Sequence, residues 1–175
     1  MGLASLNNLS GSSCFFVSDI TRFFLFAEGK NIRQLQLHYN STSSLRIPLT
    51  QPTSSPVALD YSFKDEKVYW TDVANDTISR AFLNGSSQET VVSTRLSNPY
   101  GLAVDSFGQN IYWTDGTENV IEVATLNGLH RRVLIKNDLE DPRDLALDVT
   151  RGYAESPVLY VVELCLWLLN CFLLD

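Results

Sequence analysis

Two aspartates, Asp72 and Asp115, each close a Tyr-Trp-Thr-Asp tetrapeptide, and two such carboxylates brought together could share general acid and base work. They lie forty-three residues apart in equivalent surroundings, which puts them in separate repeat units rather than in one site. The two histidines are no better placed. His38 is expected in a turn and His130 sits beside Arg131, and neither has a serine or cysteine at a recognisable nucleophile elbow. No G-x-S-x-G, P-loop or G-x-G-x-x-G pattern occurs, so neither an enzyme nor a cofactor is expected. Asp60, Asp65, Glu66 and Asp72 cluster along the chain but lack the Asp-x-Asp-x-Asp-Gly loop that wraps calcium, and no metal site is expected. Cys14, Cys165 and Cys171 are odd in number and form no C-x-x-C pair, leaving at least one without a partner in the chain.

The composition of the 175 residues, 45% hydrophobic and 19% charged, is that of a folded chain of about one domain. Thirteen basic and 20 acidic side chains leave a net charge of −7, and the longest basic run is Arg131-Arg132. A phosphate backbone would find no basic footprint, so nucleic acid is excluded as a partner. No basic residue precedes Arg22, and Cys14 to Val17 is too short for the apolar core of a secretory leader, so no export signal is expected. Leu6 breaks the myristoylation pattern that Gly2 begins.

The elements that must position these residues are set by the forty-three-residue repeat. Tyr69-Trp70-Thr71-Asp72 returns as Tyr112-Trp113-Thr114-Asp115, and Leu83-Asn84-Gly85 returns as Leu126-Asn127-Gly128. Pro56, Pro99 and Pro142 keep the same spacing, each ahead of an apolar stretch that ends in Asp: Val57 to Asp60, Leu102 to Asp105 and Leu145 to Asp148. Units of this length bury their faces only against neighbours. Within one unit, Leu102 to Asp105, Ile111 to Thr114, Val120 to Leu126 and Arg132 to Lys136 read as four short strands, with Asn127-Gly128 as a tight turn. Four antiparallel strands per unit describe a propeller blade, so the fold class is all-β. Tyr112 and Trp113, adjacent on a strand, point to opposite faces, and each ring is expected to fill one space between blades. The carboxylates of Asp105 and Asp115 are expected to take backbone N–H groups of the adjoining turns.

These residues resemble the YWTD repeats of the low-density-lipoprotein-receptor family, which form six-bladed propellers. Phe23-Phe24-Leu25-Phe26-Ala27, Thr77 to Ser87 and Asp141-Pro142-Arg143-Asp144-Leu145 are similar to the branch of receptor-related proteins that act as Wnt co-receptors. The resemblance implies a scaffolding role for Tyr69, Trp70, Thr71, Asp72, Tyr112, Trp113, Thr114, Asp115, Asp105 and Asp148. It also implies a non-catalytic receptor segment at the extracellular side of the plasma membrane, held there by the parent receptor. Its partners would be extracellular proteins, Wnt proteins or secreted antagonists, with a lipoprotein or endocytic receptor as the alternative. The implied ligand face comprises Val73, Asn75 and Asp76, then Thr117 and Glu118 after the second tetrad, with Tyr100 and Arg143 at the proline turns. Four Asn-x-Ser/Thr sequons occur, at Asn8, Asn40, Asn75 and Asn84, of which Asn40 and Asn84 fall in expected turns.

The chain divides into an irregular segment 1–22, a partial propeller 23–153, about three of six blades, and a hydrophobic tail 154–175. A third tetrad, due at 155–158, is replaced by Glu155-Ser156-Pro157-Val158. From Val158 to Leu174 only Glu163 and Asn170 interrupt an apolar run. Three readings suit that run. One is a membrane-spanning helix, which would make the chain an anchored structural fragment and bear about 2.5–3.5 kcal/mol for its mid-span carboxylate. Another is a makeshift strand, Val158 to Val162. The third, a foreign C-terminus on a truncated propeller, fits best. Blades that cannot close a ring leave apolar faces open, so a marginally stable or oligomeric polypeptide is expected.

Overall fold

A computed structural model of the chain describes residues 13–17, 22–38, 41–148 and 158–162. Fourteen strands form four antiparallel sheets, with no helix among the described residues. Sheet 1 holds β1 (Ser13–Val17), β2 (Arg22–Glu28), β3 (Asn31–His38) and β4 (Ser41–Arg46). Sheet 2 holds β5 (Pro56–Ser62), β6 (Lys67–Asp72), β7 (Thr77–Phe82) and β8 (Glu89–Val92). Sheet 3 repeats it as β9 (Pro99–Asp105), β10 (Asn110–Asp115), β11 (Val120–Thr125) and β12 (Arg132–Ile135). Sheet 4 pairs β13 (Asp144–Asp148) with β14 (Val158–Val162). Within every sheet the strands follow chain order, and β5, β9 and β13 lie side by side.

Several boundaries differ from the sequence reading. The N-terminal segment is not wholly irregular, because Ser13–Val17 pairs with β2 from Ser13 opposite Phe26 to Val17 opposite Arg22 and completes a four-stranded first sheet. Cys14-Phe15-Phe16-Val17 is a short β-type run, and pairing satisfies its backbone groups. His38 ends β3 rather than occupying a turn. At the other end, Val158–Val162 pairs with β13, so the makeshift strand forms. Asn8, Asn40 and the rest of the tail lie outside the described residues, among which no helix is long and apolar enough to cross a membrane.

A register shift also corrects one equivalence. Ser62 lies opposite Lys67 as Asp105 lies opposite Asn110, so Ser62 is the counterpart of Asp105, and Asp60 is the counterpart of Ala103. The shorter serine is buried, and its hydroxyl has no hydrogen-bond partner.

Sheets pack face to face through three apolar layers. Trp70 lies between sheets 1 and 2 with Phe23, Leu25, Ile32 and Leu59. Tyr69, its neighbour, points the other way into the layer between sheets 2 and 3, where Trp113 meets it with Ile78, Leu102 and Ile111. Tyr112 in turn faces sheet 4 with Ile121, Val123 and Leu145. Alternation along a strand thus gives each aromatic pair one ring per interface. Burying such a ring removes on the order of 150–250 Å² from water, worth roughly 4–6 kcal/mol before conformational entropy is charged against it.

The turns repeat as faithfully as the strands. Left-handed backbone recurs forty-three residues apart at Glu66 and Gln109, Asp76 and Asn119, Ser87 and His130, Arg95 and Asp138, and Asn98 and Asp141. Gly85 and Gly128 share a φ of 79°, and there a close approach makes glycine obligatory. A Cβ on Gly85 would sit 2.1 Å from the carbonyl oxygen of Pro48, and one on Gly128 would sit 2.3 Å from that of Val91. Each Asn-Gly turn is therefore pressed onto the backbone that ends the preceding sheet.

Candidate ligand-binding face

The threonine and aspartate of each tetrad build one end of the sheets. A β-bulge in the first strand frees the N–H of Ala58 from the ladder, and the Thr71 hydroxyl accepts it at 3.0 Å. Gly101 donates likewise to Thr114 at 2.8 Å. Asp72 accepts from the N–H groups of Ser54, Ser55, Ala74 and Asn75, at 2.7 to 3.2 Å. Asp115 accepts from Ser97, Thr117 and Glu118 at 2.8 to 3.1 Å. One buried carboxylate thereby ties the loop before its sheet to the turn after its strand, so neither acid is open to a substrate. At the opposite end Asp105 caps only the turn after its own strand, accepting from the N–H groups of Phe107 and Gly108. Asp148 ends β13.

The residues assigned to the ligand face all lie at the tetrad end, on the turns 73–76 and 116–119 and at the proline turns. Their availability differs. The Asn75 amide donates to Ser54 and Asp72, both at 3.1 Å. Asp76 accepts the N–H of Asn98 in the next sheet at 3.0 Å, and its counterpart Asn119 accepts that of Asp141 at 2.9 Å. These two therefore join neighbouring sheets, a role the sequence signals only through their equal offset. Thr117 bonds Ser97 and Asn98 through its hydroxyl. Val73 is half-buried and Glu118 is exposed.

Tyr100 and Arg143 come together across sheets 3 and 4. The guanidinium of Arg143 lies 3.9 Å from the centre of the Tyr100 ring and pairs with Asp141 at 2.6 Å. The Asp141 hydrogen bond holds that guanidinium still more firmly protonated. Gly116 makes room for the ring, since a Cβ there would meet it at 3.0 Å. The loops and turns at this end of sheets 2 and 3 carry the acids Asp76, Glu118, Asp138, Glu140 and Asp141 against Arg95, Lys136 and Arg143.

Charged clamps away from this face were not legible in the sequence. Glu122, buried in sheet 3, accepts the Trp113 indole N–H at 3.2 Å and pairs with Arg131. Arg131 lies over Trp113 and reaches back to the carbonyls of Thr94 and Arg95 at the end of sheet 2. Asp60, the acid whose equivalence shifted, accepts from Tyr61 at 2.7 Å and from Val104 of the adjoining sheet. Burial pushes its carboxyl up to about 7, against those two N–H bonds, which lower it.

Residues 66–106 and 109–149 match the family described as low-density lipoprotein receptor repeat class B. These are two YWTD repeats. Their sheets form part of a YWTD β-propeller. The repeats are similar to human low-density lipoprotein receptor-related protein 4, 43% identical over 97 residues, which are 55% of this chain and 5% of that protein. They are also similar to mouse low-density lipoprotein receptor-related protein 5, 47% identical over 83 residues, 47% of this chain and 5% of that one. The chain thus spans a small fraction of these relatives. Among solved structures, one of a nidogen/laminin complex superposes with a TM-score of 0.69 at 35% identity, over 74% of this chain and 50% of that one. A virginiamycin B lyase from Staphylococcus aureus, at 20% identity and a TM-score of 0.57 over 79% of this chain and 46% of its own, shares the fold alone.

Proposed function

We propose that the chain is a segment of a cell-surface receptor ectodomain, on the extracellular side, whose tetrad end binds protein ligands and performs no catalysis. The likeness of its repeats to a receptor-related protein at 47% identity carries this reading. Tyr100, Arg143 and Glu118 form the contact surface, because Asn75, Asp76 and Thr117 are already engaged in holding the loops. Wnt proteins and secreted antagonists are the first ligand candidates, and the acidic excess of this end favours those with a basic surface. A matrix glycoprotein is the second reading, favoured by the likeness to the chain from the nidogen/laminin complex. Biolayer interferometry of the immobilised chain against Wnt proteins, their antagonists and laminin tests both. Saturable binding to one class is expected, and binding to none of them would falsify the proposal.

A further inference from the structure

The end of the sheets opposite the tetrads holds a difference between the two repeats. In sheet 2, Arg80 crosses to sheet 3 and donates to the Leu126 carbonyl at 2.8 Å and to the Tyr69 hydroxyl at 2.9 Å. Tyr69 donates in turn to Asp65 at 2.7 Å, and Arg80 also pairs with Glu89. One repeat later the tyrosine persists as Tyr112, but register puts Val123 where Arg80 stood, and Gly108 takes the place of Asp65. The ion cluster that fills the first unit is missing from the second.

In its place lies a cavity of about 420 Å³ lined by Asn110, Tyr112, Val123, Thr125, His130 and Arg132. Tyr112, Val123 and Arg132 are directly opposite one another across β10, β11 and β12, as are Asn110 and Thr125, so their side chains share one face. Among the described residues no carboxylate lines the cavity. The Arg132 guanidinium has no ion pair or hydrogen bond among the described residues, and its charge acts on the Tyr112 phenol. Asp105, the acid whose charge reaches that phenol, is committed to the N–H groups of Phe107 and Gly108. The Thr125 hydroxyl is spent on Asn127 and the Leu129 carbonyl and the Asn110 amide on the Tyr112 phenol, so the Arg132 guanidinium, the Tyr112 phenol and the His130 imidazole converge with no anion among the described residues to meet them. A bare oxyanion fills little of such a volume, which is within the range of small-ligand sites.

We propose that this crevice binds a sulfated sugar residue, with the sulfate on Arg132, His130 and Tyr112 and the ring against Val123 and Thr125. Charge-assisted hydrogen bonds from the guanidinium hold the sulfate, and the sister unit excludes it because Arg80 occupies the same place. The site stands apart from the protein-binding face and does not depend on it. Isothermal titration calorimetry of the full chain at low salt, with a sulfated heparin-type disaccharide, the same disaccharide without sulfate, and inorganic sulfate, tests it. The sulfated sugar is expected to bind, with Arg132→Gln and loss of the sulfate each weakening it about tenfold or more. Val123→Arg, which restores the arginine of the sister unit, is expected to abolish binding. Should that variant fold poorly, Arg132→Gln decides alone, since its side chain is exposed. No binding, equal binding of the desulfated sugar, or indifference to Arg132→Gln overturns the proposal. Inorganic sulfate binding as tightly as the disaccharide overturns its sugar component.

Discussion

Asp60 makes the junction of sheets 2 and 3 sensitive to pH. Its carboxyl titrates at about 7 in the fold against 3.8 as its ordinary value, and it has no ion pair among the described residues. Because the folded value is raised, protonation favours the fold: the contribution is present in full below about 3.8 and is lost as pH rises through about 7. Integrating the linkage between those two values, the fold gains on the order of 1 kcal/mol from pH 8 to pH 6, and roughly 2–3 kcal/mol from pH 8 to pH 5. Asp60→Asn removes the titration. It also places an amide N–H₂ against one of the two donors, Tyr61 or Val104, which costs a constant amount at every pH. Guanidinium unfolding followed by tryptophan fluorescence, on both proteins at pH 8, 7 and 6, separates the two effects. Other contributions to the pH dependence are common to both proteins and cancel. The stability difference in favour of the wild type is expected to widen by roughly 1 kcal/mol on acidification from pH 8 to pH 6. Parallel curves would mean that Asp60 does not titrate in this range, and a difference that narrows would show that the two N–H groups favour the carboxylate over the acid.

Other perturbations act on the joints between sheets. Arg131→Ala strands the buried Glu122 carboxylate with only the Trp113 indole, and a loss of about 3–5 kcal/mol is expected in the same unfolding assay. Gly128→Ala drives a methyl group into the Val91 carbonyl at a left-handed φ, so the melting temperature should fall clearly, whereas Gly29→Ala, whose Cβ meets nothing within 4 Å, should cost less. Thr114→Val keeps the shape but leaves the Gly101 N–H without its acceptor, an expected cost of about 1–3 kcal/mol, with faster hydrogen exchange at Gly101.

The parts of this fold visible in the sequence are those that the repeat states twice. Tyr69 and Tyr112, Trp70 and Trp113, and Asp72 and Asp115 do the same work in each unit, so one offset exposes them all. The Asn-Gly turns were equally legible, although the reason for their glycines, contact with Pro48 and Val91, needs the neighbouring sheet. Asp60 misled because it ends an apolar stretch much as Asp105 does, and only strand pairing shows that Ser62 is the true counterpart. The first strand escaped notice because Ser13–Val17 carries no tetrad or proline marker. Arg80 and Arg131 were invisible for a different reason: their partners, Leu126, Thr94 and Arg95, are backbone carbonyls of adjoining sheets, and a carbonyl leaves no mark on the residue type. Sequence groups Asn75 and Asp76 with Tyr100 and Arg143 on the proposed ligand face, while the geometry ties the first two to neighbouring loops and stacks the last two on each other.

The tetrad acids hold the scaffold, and the Tyr100–Arg143 stack is proposed to contact a protein ligand. Interferometry with the paired variant Tyr100→Ala, Arg143→Glu, on whichever ligand the wild-type chain binds, tests it most directly. An affinity at least about tenfold weaker is expected, with the unfolding midpoint little changed, since both side chains are half-exposed. Unaltered affinity in a folded variant would contradict it.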